Sequence, residues 1–225
     1  AWSGLTEVAT NGPGKQPDSG LKFSEKEWKS FVSAMHVAAR ALSKEIADSY
    51  DASGFNRLLD VGAASGTYTI SFLHKNPQLM AIVFDLEDVI PMAKERIKEE
   101  QLFHRVEFIA GDFYEEDLPK GCDLALLSAI IHQNSPEENL KLYGKVFRAL
   151  EKGGTILIRD HIMREDRTKP PAGALFAVNM LVNTRGGDTY TFQDVKDGLE
   201  NSGFREVQLL RTGQKMDCLV EAKKP

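Results

Sequence analysis

Two carboxylates one βα unit apart are the residues best placed to hold a polar ligand. Asp60 lies in Arg57-Leu58-Leu59-Asp60-Val61-Gly62-Ala63-Ala64-Ser65-Gly66, and Asp85 closes Val83-Phe84-Asp85-Leu86. The first run reads as a buried parallel strand, and Gly62 and Gly66 let the turn after it approach a ligand closely before a helix begins. An acid at the end of the next strand can accept both hydroxyls of a ribose. A third candidate is His132, which follows an apolar strand and so falls at the carboxyl edge of a parallel sheet. An imidazole there can take the proton from a phenolic or enolic hydroxyl; the alternative is a loop histidine that caps the helix starting near Ser135 and Pro136.

The turn's chemistry narrows the ligand. A dinucleotide cradle needs G-x-G-x-x-G and a helix N-terminus facing the anion. Here the spacing is G-x-x-x-G, with Asp60 just before the turn. That carboxylate would repel a pyrophosphate but suits the ammonium and sulfonium end of S-adenosylmethionine.

The elements that must position these groups alternate. Strands are expected at 57–61, 80–84, 105–109, 123–129 and 155–159. Helices fall between them at 66–75, 88–100 and 136–150, with a Gly153-Gly154 turn before the fifth strand. Such alternation implies right-handed crossovers and a parallel sheet. Helix 191–202 and strands 206–211 and 217–222, joined through Thr212-Gly213-Gln214, then form a closing hairpin whose last strand runs antiparallel. The fold class is therefore α/β and Rossmann-like: a mostly parallel seven-stranded sheet with helices on both faces. Residues 9–22 are rich in turn formers and read as a loop. Residues 1–23 are taken as a linker and 24–225 as one domain. Helix 24–49 carries Trp28, Phe31, Met35, Ala38, Ala39 and Leu42 at helical spacing, with a capping-box pattern at Ser24 and Glu27. On a helix beginning near Ala172, Phe176, Asn179, Met180 and Asn183 share a face and could line an acceptor cavity; Phe31 and Met35 offer a second wall.

Composition bounds the rest. The 225 residues are 42% apolar with net charge -5, enough for one buried core and without the basic stripe of a nucleic-acid binder. Cys122 and Cys218 lack metal or disulfide spacing, so no metal is expected and a reducing cytoplasm is implied. No apolar run reaches the roughly 18 to 20 residues that cross a bilayer, so no membrane partner is expected.

The motifs occur in one order: the Asp60–Gly66 loop, Phe84-Asp85-Leu86, Gly111-Asp112-Phe113, His132, Gly153-Gly154, and Asn179-Met180-Leu181 leading to Gly186-Gly187. In this the chain resembles the catalytic domain of small-molecule O-methyltransferases related to acetylserotonin, caffeate and bacterial polyketide O-methyltransferases, from about residue 25 onward. The resemblance implies a class I methyltransferase without the family's N-terminal winged-helix dimerisation region, and hence a monomer or weak homodimer. It implies a small, aromatic methyl acceptor and S-adenosylhomocysteine as product. It puts Gly62 against the methionine moiety, Asp85 on the ribose, Leu86 beside the adenine, and Asp112 with Phe113 around the adenine. Ser128 contacts the cofactor where the family commonly carries Lys or Arg. His132 becomes the base, oriented by Asp160 where the family has Glu; Gln133 and Thr189 stand where the family has carboxylates. These departures keep open transfer to carbon or nitrogen, a non-methylating reaction on the same cofactor, or a decayed site that only binds it.

Overall fold

The computed structural model describes residues 5–12 and 25–225, the side chains of 11, 25–29 and 31–33 excepted. The elements are α1 (Leu5–Asn11), α2 (Glu25–Ser49), β1 (Arg57–Val61), α3 (Thr67–Lys75), β2 (Met80–Asp85), α4 (Ile90–Glu99), β3 (Val106–Ala110) and β4 (Cys122–Ser128). They continue with α5 (Pro136–Ala149), β5 (Leu150–Asp160), β6 (Ile162–Met163), α6 (Pro171–Asn183), β7 (Tyr190–Thr191), α7 (Phe192–Asn201), β8 (Arg205–Arg211) and β9 (Cys218–Lys223).

Seven strands form one sheet in the order β3-β2-β1-β4-β5-β9-β8. β1 to β5 pair in parallel, whereas β9 is antiparallel to both β5 and β8, so the closing hairpin folds back and its second strand slots inside the edge. Side chains alternate across the sheet. Leu58 joins a layer with Ile46 of α2, Phe72 of α3 and Ile97 of α4, while Leu59 and Val61 join Leu142 and Val146 of α5 and Leu199 of α7. Strands buried on both faces have no room for exposed polar positions, which is why they read as apolar runs.

Three expectations change. Residues 9–11 end helix α1, which packs on α6, rather than opening a loop. Gly153-Gly154 lies inside β5: Gly153 takes a φ of +79° and the backbone N–H of Gly153 donates to the Lys224 carbonyl, so the irregularity is absorbed within the strand. A two-stranded parallel pair, β6 with β7, was not expected. It is too short to carry a periodic signal. The capping pattern at Ser24 and Glu27, and the side chains of Trp28 and Phe31, lie outside the described residues.

Candidate active site

β1 and β2 end side by side and present the two acids differently. Gly62 adopts φ +68°, and a Cβ there would stand 2.5 Å from Ile130 Cδ1; Gly66 adopts φ +71° against Ile97. Both the conformation and the space demand glycine. The turn is tied to Asp85: the Ala64 N–H donates to Oδ2 at 2.7 Å and the Leu86 N–H to Oδ1 at 2.8 Å. Each oxygen keeps a second acceptor position, so the carboxylate is held with two lone pairs free. Burial pushes its carboxyl up to about 6 against those two donors. Asp60 is instead almost wholly enclosed, 1% exposed, and accepts from Thr69 Oγ1 at 2.6 Å. Burial raises its carboxyl to about 6, with Thr69 opposing.

Next along the sheet edge, Gly111 N–H donates to the Asp85 carbonyl, and Phe84 leaves no room for a side chain at Gly111. Asp112 Oδ1 accepts the Tyr114 N–H at 2.8 Å, closing a local turn that holds Phe113. Phe113 packs against the Gly62 side of the core, 4.5 Å from the Tyr114 ring. Lys145 of α5 clamps this loop through the carbonyls of Phe113, Tyr114 and Glu116. Leu86 is partly exposed beside Asp85.

His132 sits on a short 3-10 turn directly after β4. Its Nδ1 lies 3.0 and 2.9 Å from the two oxygens of Asp160, the last residue of β5. Burial would raise the Asp160 carboxyl, but His132, Arg159 and the His161 N–H outweigh it and hold it below the usual carboxylate range. An ionised Asp160 fixes the proton on Nδ1 and leaves Nε2 as the basic nitrogen. The helix cap belongs to Ser135, which closes a capping box with Glu138, so His132 has no capping role.

The loop carrying His132 is anchored by buried amides. Asn139 Nδ2 donates to the Ile131 carbonyl at 2.9 Å, Asn134 Nδ2 to Asn139 Oδ1 at 3.0 Å, and Tyr114 O–H to Asn134 Oδ1 at 2.5 Å. Tyr190 O–H donates to the Asn134 carbonyl. Gly187 lies so close that a Cβ would meet the His132 carbonyl at 2.5 Å.

Of the acceptor-wall candidates, Phe176 meets His132, edge to face at 4.9 Å between ring centres; the side chain of Phe31 lies outside the described residues. Asn183 Nδ2 donates to Asn179 Oδ1 at 2.9 Å, so the two amides are paired with each other; Met180 is buried and Asn183 exposed. Met35 is exposed, and next to it His36 Nδ1 lies 2.9 Å from Thr67 Oγ1, which lays α2 across the start of α3. Thr189 points to the Gly173 carbonyl and Asp188 pairs with Arg167, so Asp160 is the carboxylate that meets His132. Ser128 accepts from Arg159 Nε at 3.0 Å.

Sequence reasoning missed Arg159, Tyr114, Asn134, Asn139, Lys145 and His161. His161 is buried, its Nδ1 without a partner among the described residues, 5.2 Å from the Phe176 ring. The signal available was polarity inside apolar stretches: Arg159-Asp160-His161 follows a buried run, and Asn134 and Asn139 flank a helix start.

Comparison with known proteins gives the family. The O-methyltransferase domain family matches residues 15–205. The chain belongs to that family. It is 34% identical over 214 residues to the 3-hydroxy-5-methyl-1-naphthoate 3-O-methyltransferase of Streptomyces sahachiroi, covering 93% of this chain and 62% of that protein. It is 31% identical over 202 residues to acetylserotonin O-methyltransferase of Gallus gallus, covering 89% and 57%. Human N-acetylserotonin methyltransferase, solved in complex with SAM, superposes with a TM-score of 0.89 at 26% identity, over 99% of this chain and 66% of that one. The chain spans about six-tenths of the length of these curated relatives. Family and architecture agree with the expectation, down to the antiparallel last strand. Among the described residues, no helix is long and apolar enough to cross a membrane.

Proposed function

We propose that this chain binds S-adenosylmethionine at the carboxyl ends of β1 to β4 and transfers its methyl group to a hydroxyl of a small aromatic molecule. The observation that carries this reading is the His132–Asp160 pair, at 2.9 Å, set along the same sheet edge as the Gly62 turn and Asp85. The residues fit the cofactor. Gly62 turns the chain sharply at the end of β1, where the methionine moiety would lie, and Asp85 keeps two acceptor positions for the ribose hydroxyls. Leu86 and Phe113 offer apolar faces for the adenine and Asp112 an acceptor for its amine. Asp60 supplies buried negative charge behind the turn.

When bound, the cofactor supplies an electrophilic methyl group on sulfonium. The acceptor's O–H gives its proton to His132 Nε2 as the carbon–oxygen bond forms and the carbon–sulfur bond breaks, leaving S-adenosylhomocysteine. Asp160 stabilises the resulting imidazolium and keeps the ring in register. Phe176 packs against that ring and would hold the acceptor's aromatic body beside it. Positioning supplies most of the rate, because in-line transfer chiefly needs near-attack geometry.

The same reading makes residues 24–225 one domain, acting in the cytoplasm as a monomer or weak homodimer on a small molecule rather than on nucleic acid or a membrane. To test it, the purified chain is incubated with labelled S-adenosylmethionine and a panel of phenols and catechols. Mass spectrometry should detect an O-methylated product. Binding without transfer to any oxygen, with methyl found on carbon or nitrogen, would sink the O-transfer assignment.

A further inference from the structure

The loop after β3 and the loop that carries His132 are joined by one hydroxyl. The first loop holds Asp112 and Phe113, and a Cβ at Gly62 would lie 3.6 Å from Phe113 Cε1, so that ring borders the β1 turn. Tyr114 comes next in the chain. Its N–H donates to Asp112 Oδ1 at 2.8 Å, its ring centre lies 4.5 Å from that of Phe113, and its O–H donates to Asn134 Oδ1 at 2.5 Å. One side chain thus touches both loops.

Behind Asn134 the hydrogen bonds run on to the residue before His132. Asn134 Nδ2 donates to Asn139 Oδ1 at 3.0 Å, and the Ile131 carbonyl accepts both Asn139 Nδ2 at 2.9 Å and the Asn134 N–H at 3.3 Å. Tyr190 holds the other side, its hydroxyl donating to the Asn134 carbonyl with Asn139 also within reach. Asn134, Asn139, Ile131 and Tyr190 are all buried, whereas Tyr114 is 41% exposed. Burial of its hydroxyl end raises that group above the ordinary phenol range, so it stays a donor; the Gln133 side chain is a second group within its reach.

An exposed ring that ends in a buried hydrogen bond is the least restrained member of such a set. A ligand orders it only by binding the ordered arrangement better than the loose one. Adenosine resting on Asp112 and Phe113 would do so, because both of those residues touch Tyr114.

We propose that Tyr114 is a positioning residue that ties the base to the cofactor: adenosine held at Asp112 and Phe113 fixes the Tyr114 ring and, through Asn134 and Asn139, firms the loop carrying His132. This rests on the S-adenosylmethionine reading above and adds to it that cofactor occupancy sets the base. Tyr114 acts through Asn134 and not on the reacting atoms.

Amide hydrogen exchange read by NMR tests this, with adenosine as the probe because it carries the adenine and ribose without the sulfur or the amino-acid tail. Asn134 is fully buried, so its amide reports on the loop and not on contact with the probe. Saturating adenosine should slow exchange of the Asn134 amide at least about fivefold in the wild-type chain, the low end of ordinary coupling between sites. Tyr114→Phe keeps the exposed ring and loses only the hydroxyl. It should bind adenosine within about threefold of wild type and show the slowing cut to below about twofold, while Gln133→Ala keeps the wild-type slowing. Slowing that persists in Tyr114→Phe, or that Gln133→Ala removes, overturns the proposal. Loss of adenosine binding in Tyr114→Phe also overturns it, by placing the hydroxyl in the cofactor site. Wild-type chain that binds adenosine without slowing the Asn134 amide overturns the proposal and leaves the cofactor reading intact; wild-type chain that binds neither adenosine nor S-adenosylhomocysteine overturns that reading and the proposal with it.

Discussion

The two sides of the proposed transfer site are built differently. The base side, residues 131–135, is a short irregular loop fixed by Asp160, Asn139, Tyr114, Tyr190 and the close approach of Gly187. The acceptor side, α6, offers one ring to His132, and its two asparagines bond to each other on the partly exposed face. A general base must hold its geometry within a fraction of an ångström, and the buried hydrogen bonds around residues 131–135 fit the role proposed for His132. An acceptor wall sets which molecules fit and can vary with few internal consequences. On the proposed reading, the difference means that chemistry and choice of acceptor are carried by separate elements.

Breaking the base side should have the largest effect. In Asp160→Asn the amide oxygen would keep the His161 N–H, bonded at 2.7 Å, which turns the NH2 group toward His132 Nδ1. The proton would then move to Nε2, the wrong tautomer for a base, and kcat should fall by about 10² or more with cofactor affinity within a few-fold. Steady-state kinetics beside calorimetry separates the two. Unchanged kcat would mean that Asp160 does not set the tautomer.

Asn134→Ala comes next. It removes the acceptor of the Tyr114 hydroxyl and the donor to Asn139 Oδ1 in a fully buried place, while Asn139 Nδ2 keeps the Ile131 carbonyl, and each orphaned group costs about 1–3 kcal/mol. Thermal unfolding should drop by several degrees, and kcat should fall as well because the same amides fix the His132 loop. A loss of stability with full kcat would separate the network from the base.

A smaller effect, of opposite sign, is expected at Asp60. Its carboxyl and that of Asp85 are raised to about 6 in the folded chain, so they keep protons that the unfolded chain releases at lower pH. Stability of the ligand-free chain therefore falls as pH rises from the ordinary carboxylate range through about 6, and the penalty stays constant above it. Asp60→Asn should raise ligand-free stability near pH 7.5 by about 1–2 kcal/mol while weakening the cofactor. A melting curve that drops in the variant would place Asp60 among structural acids instead. Smallest of all, Asn183→Ala removes only an exposed amide pair and should stay within about 0.5 kcal/mol and leave turnover intact; a large rise in acceptor KM would restore Asn183 to the cavity.

Legibility in the sequence followed the same division. Leu58, Leu59 and Val61 announce a strand because burial on both faces leaves an apolar run, and Gly62 announces a close turn because no other residue fits its conformation and space. Asp85 and His132 were readable because parallel sheets expose the ends of their strands. Arg159 was not: its partner Ser128 is 31 positions away and becomes a neighbour only through the β4–β5 register. Asn134 and Asn139 look like ordinary helix-start residues until folding brings Tyr114 to them from the loop after β3. On α6 a shared helical face was legible, but not which part of it would find its partners internally, as Asn179 and Asn183 do.

The central claim is that His132 removes the acceptor's proton during methyl transfer. It is tested most directly by measuring kcat for wild-type and His132→Ala chains on a series of phenols of graded acidity. The loss in the variant should be about 10² to 10⁴ for weakly acidic hydroxyls and shrink steadily as the phenol becomes more acidic, because an acceptor already ionised needs no base. Equal turnover by the two chains across the series, or a loss that ignores acceptor acidity, would contradict it.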